Sequence, residues 1–95
     1  MNAQIDGTFR NMTQDELKFA LAIILSEEEV SKWEEVETLS ERTYVRLTTE
    51  SDTFQDYPQE EVIGYLAGFI RRRSDPAFAE QQQRWLRSYL RAPKP

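Results

Sequence analysis

The chain contains no cysteine and no histidine among its 95 residues. Without cysteine it has no disulfide, no thiolate nucleophile and no thiolate site for zinc or an iron–sulfur cluster. Without histidine it lacks the commonest general base and the commonest transition-metal ligand. Glycine is scarce, at three residues, and neither a glycine-rich phosphate loop nor a D-x-[DN]-x-[DN]-G calcium loop occurs. The expectation is a protein that is not an enzyme and needs no cofactor.

Long hydrophobic runs are missing as well. The most apolar segment, Phe19 to Leu25, is far too short to span a bilayer. The start, MNAQIDGTFRNM, has no basic patch followed by an apolar run, so it does not read as a signal peptide. These absences predict a cytoplasmic protein without membrane association. The length predicts one helical domain over 1–95, with flexible ends at 1–12 and 92–95.

What is present is a polarised charge. Residues 1–61 carry 15 acids and 5 bases, whereas residues 62–95 carry 2 acids and 7 bases, within a net charge of −5. Opposite poles on one small protein favour self-association in which an acidic pole meets a basic one.

Helical signals run along the chain. Thr13-Gln-Asp-Glu16 is a capping box, in which hydroxyl and carboxylate each accept from the other's backbone amide. It predicts a helix over 14–25 that is apolar nearly all round, with Leu17, Leu21 and Ile24 on one side and Phe19 and Ile23 opposite. Such a helix is central to a core or half of an association surface. Ser26-Glu-Glu-Glu29 reads as a second capping box and opens a helix over 27–49, with a break possible near Ser40 and a strand at TYVRLTT, residues 43–49, as the alternative. Residues 50–57 read as a polar loop. Pro58 and Pro76 suit first helical turns and predict helices over 58–73 and 76–91. The architecture expected is all-α, a four-helix bundle or an irregular four-helix cluster.

Three surface features are candidates for function. Arg84, Arg87 and Arg91 share one stripe of the last helix, and Arg71, Arg72 and Arg73 close the helix before it. They read either as an acid- or phosphate-binding surface, or as a solvated face offsetting a helix dipole, with Glu80 pairing Arg84. Gly64 and Gly68 lie one turn apart, each costing about 0.5–1 kcal/mol relative to alanine. They suggest a ridge where the first helix or a partner packs closely. Phe19 and Ile23 are the candidate association face.

Two sharper readings fail on chemistry. The carboxylates of Asp56, Glu60 and Glu61 around Tyr57 could in principle do acid–base work, but the first helical turn already explains the two glutamates. A helix-turn-helix centred on Ser26 would offer EEEVSKWEEVE to DNA, which phosphates repel. The reading that remains is a non-enzymatic protein–protein interaction or regulatory protein, self-associating as a homodimer. The alternatives are a nucleic-acid-associated protein using its arginines, or a small acidic inhibitor of a basic enzyme, of antitoxin or immunity type.

Overall fold

A computed structural model of the chain describes residues 12–49 and 57–92. Among these residues there are five helices and no strand. They are α1 (Gln14–Glu29), α2 (Trp33–Thr49), α3 (Gln59–Ala67), α4 (Phe69–Ser74) and α5 (Pro76–Arg91). The all-α expectation holds, and residues 43–49 are helix rather than strand. The expected flexible ends and the polar loop fall almost wholly outside the described residues. Met12 is described, and it is buried in the core rather than free.

The Thr13 capping box forms as its spacing requires: the Thr13 amide donates to Glu16 Oε1 at 2.9 Å and the Glu16 amide to Thr13 Oγ1 at 3.1 Å. Asp75 likewise caps α5, its Oδ1 accepting from the Phe78 amide at 3.2 Å, with Pro76 in the first turn.

The boundary expected at Ser26 is wrong. α1 continues through Ser26 to Glu29, and the chain turns at Val30–Lys32 instead. There the Ser31 amide donates to Glu28 O at 3.0 Å and the Lys32 amide to Glu27 O at 2.9 Å. Ser31 has φ 61. This is a Schellman stop, whose left-handed position is normally filled by glycine. Serine sits there instead, so the usual sequence mark of a helix end is missing. Consequently α2 starts at Trp33, runs unbroken past Ser40 and leaves Val30 outside it.

The helix expected over 58–73 is also corrected. It divides at Gly68, where the amide reaches back to Tyr65 O at 3.3 Å, into α3 and α4. A Cβ at Gly68 would lie 2.8 Å from Gln82 Oε1 and 2.9 Å from Gly64 O. Only glycine admits that approach.

The core gathers Leu17, Leu21, Ile24 and Leu25 of α1, Val36 and Leu47 of α2, Val62, Tyr65 and Leu66 of α3, and Leu86 of α5. Burying each such side chain contributes about 1.5–3 kcal/mol. α1 packs on α2 and α5, while α2 packs on α3 and α4. Lys18 ties the end of α5 to α1, donating to Ala92 O at 3.2 Å over the Tyr89 ring. No helix among the described residues is long and apolar enough to cross a membrane.

Candidate functional site

The continuation of α1 to Glu29 places Glu27, Glu28 and Glu29 at the negative end of a helix dipole, where carboxylates are disfavoured. Two arginines from the C-terminal half answer this. Arg87 of α5 reaches Glu29 Oε2 at 2.8 Å on the surface. Arg72 of α4 meets Glu28 in the interior, with Nη2 2.7 Å from Oε2 and both side chains fully buried.

Glu28 is saturated. It accepts from Arg72 Nε and Nη2, from the Tyr65 hydroxyl at 2.9 Å and from Gln83 Nε2 at 2.7 Å. The Arg72 guanidinium stacks on the Tyr65 ring, 3.7 Å from its centroid. Its Nη1 donates to Tyr65 O and, at 2.7 Å, to Gln82 Oε1. Gly68 leaves room for that Gln82–Arg72 contact. Burial pushes the Tyr65 hydroxyl far above the ordinary phenol range, with the Glu28 carboxylate adding to the effect. The Glu28 carboxylate, the Tyr65 hydroxyl and all three Arg72 nitrogens are hydrogen-bonded within the cluster. The arrangement holds α1, α3, α4 and α5 together.

This removes Arg72 from the candidate basic surface, since a residue 2% exposed offers nothing to an external phosphate. Arg71 pairs with Asp75 at 3.6 Å and stacks on Phe78, while Arg84 pairs with Glu80 at 3.3 Å as its spacing suggests. With Arg87 on Glu29, four of the six candidate arginines face an acid of this chain. Arg73 and Arg91 are exposed.

The glycine ridge separates into two unlike positions. Gly68 packs tightly against Gln82 of α5 rather than against α1, whereas a Cβ at Gly64 would meet nothing within 4 Å. Glu60 and Glu61 lie exposed in the first turn of α3, and Asp56 falls outside the described residues.

Phe19 and Ile23 remain uncovered, 69% and 37% exposed. They border a groove of about 530 Å³ along the outer seam of the α1–α2 hairpin, walled on the other side by Leu39, Arg42, Thr43 and Arg46. A second groove, of about 450 Å³, lies on the other flank of α2, against α3 and α4. Sequence reasoning missed the Glu28–Arg72 cluster, although a signal exists. Glu28 continues the stripe Leu17–Leu21–Ile24 at helical spacing, and Arg72 follows Tyr65 by seven residues. A charge inside an apolar stripe on each of two helices is the mark of a buried pair. Set against known proteins, the chain matches no family model, no curated protein and no solved structure.

Proposed function

We propose that this is a non-enzymatic interaction protein that associates with itself through the outer seam of the α1–α2 hairpin. The observation that carries the reading is the exposure of Phe19 and Ile23, one helical turn apart beside an apolar groove. Covering a side chain of this size contributes about 1.5–3 kcal/mol. A two-fold arrangement applies that gain twice, because each copy offers the same patch. A cytoplasmic setting suits a chain without cysteine. The pairing of Arg71, Arg72, Arg84 and Arg87 with acids of the same chain weighs against a nucleic-acid surface.

Sedimentation velocity over a wide concentration range tests the reading. The wild-type chain should shift from monomer to dimer with concentration. Phe19→Ser with Ile23→Ser should remain monomeric at the highest concentration while keeping its helical circular dichroism. A wild-type chain that stays monomeric throughout, or a double variant that dimerises equally well, removes the proposal.

A further inference from the structure

The groove beside Phe19 and Ile23 carries charge of both signs, one on each wall. Asp15 and Glu16 stand on the α1 side, and Arg42 and Arg46 on the α2 side. The acids have a local explanation, since Glu16 completes the Thr13 cap and both suit the positive end of the α1 dipole. Arg46 likewise suits the last turn of α2. Arg42 has no such reason. It is exposed, and Thr38, Leu39, Val45 and Arg46 hold the positions one turn to either side, so α2 offers it a repelling charge and no acid. The chain folds back at Val30–Lys32, so residues equally far from that turn lie level across the groove. Asp15 and Glu16 are therefore level with Arg46 at one end, and Ile23 is level with Leu39 at the other.

We propose, resting on the self-association inferred above, that two copies pair in a crossed register, α1 of each lying over α2 of the other. A partner of one sign would be attracted by one wall of this groove and repelled by the opposite wall. A second copy brings both signs. With the helices kept near-parallel, as in four-helix packing, two two-fold arrangements can join the seams. An axis across the helices stacks α1 on α1 and reverses the groove end for end. Asp15, Glu16 and Arg46 of one copy then cover Ile23 and Leu39 of the other, which takes charges out of water against apolar side chains. An axis along the groove keeps the ends level instead. The acids of each copy then meet the arginines of the other, twice over, and Ile23 of one copy covers Leu39 of the other. The charge layout thus selects the crossed register, and Arg42 and Arg46 with Asp15 and Glu16 are the residues that set it.

Charge reversal on one wall at a time tests the register, read by sedimentation velocity of the full chain at low salt. One variant carries Arg42→Glu with Arg46→Glu and is acidic on both walls. The other carries Asp15→Lys with Glu16→Gln and is basic on both, the glutamine preserving the cap. Alone, each should dimerise at least about tenfold more weakly than the wild type, because the two-fold repeats every repulsion. Mixed in equal amounts, they should associate within about threefold of the wild type, since unlike walls meet at both contacts. Recovery in the mixture also excludes misfolding as the cause of the loss. Dimerisation of the acidic variant at wild-type strength, or a mixture no stronger than its parts, overturns the crossed register and leaves self-association standing. A wild-type chain that never dimerises removes both.

Discussion

Arg72 on α4 and Arg84 and Arg87 on α5 each pair with a glutamate, yet they stand in opposite physical regimes. Arg72 and Glu28 are both fully buried, and Tyr65, Gln82 and Gln83 supply further hydrogen bonds to them. Arg84 and Glu80 keep most of their side-chain surface in water, and Arg87 and Glu29 about half. A buried pair that loses one member strands an uncompensated charge, whereas an exposed pair exchanges its partner for water. The comparison separates an arginine that specifies the fold from arginines that decorate it. It also explains how Glu28 and Glu29 survive at the end of α1, where the dipole alone opposes them.

The largest test removes one partner of the buried pair. Arg72→Met should cost about 3–5 kcal/mol in urea unfolding, because Glu28 is left charged and buried. Replacing both, Glu28→Leu with Arg72→Met, should recover most of that loss. A double variant no better than the single one would show that the pair contributes more than mutual neutralisation. Next comes Gly68→Ala, which forces a methyl group against Gly64 O and Gln82. Overpacking of this kind costs about 1–3 kcal/mol, readable as a lower urea midpoint.

Tyr65→Phe sharpens the same cluster by pH. The Tyr65 hydroxyl is raised in the folded state, so its contribution to stability is fully present below the ordinary phenol value of about 10. It is lost as pH rises above that value, since the unfolded chain releases the proton first. The wild type should therefore lose stability more steeply above pH ~10 than Tyr65→Phe does, in parallel melts. Ser31→Gly, at φ 61, should stabilise by about 0.5–1 kcal/mol by removing the left-handed penalty, seen as a raised melting temperature. The smallest effect belongs to the surface pairs. Arg84→Gln and Arg87→Gln should each change stability by less than about 1 kcal/mol, and a cost near that of Arg72→Met would erase the distinction drawn above.

Helix content was legible because local chemistry encodes it. The Thr13 box, the Asp75-Pro76 start and the Glu80–Arg84 spacing all act within a turn, and all appear as written. The helix ends that escaped were those without a local mark. Ser31 occupies a position usually held by glycine, and Ser26-Glu-Glu-Glu29 imitates a cap in the middle of α1. Gly68 was visible as a close-packing residue, but its neighbour proved to be Gln82 and not α1. Phe19 and Ile23 were legible as a second apolar face, and their exposure followed only once α2, α3 and α5 had taken their places.

By itself, then, the sequence determined the helical class, two of the caps, the apolar stripes and the absence of thiol and imidazole chemistry. Each of these depends on residue type or on spacing within a few turns. Only the tertiary structure decided which arginine is buried, where α1 stops and which apolar faces stay open. Glu28 and Arg72 are 44 residues apart, and their pairing depends on how α1 and α4 cross. Burial follows from that crossing, and no local pattern carries it.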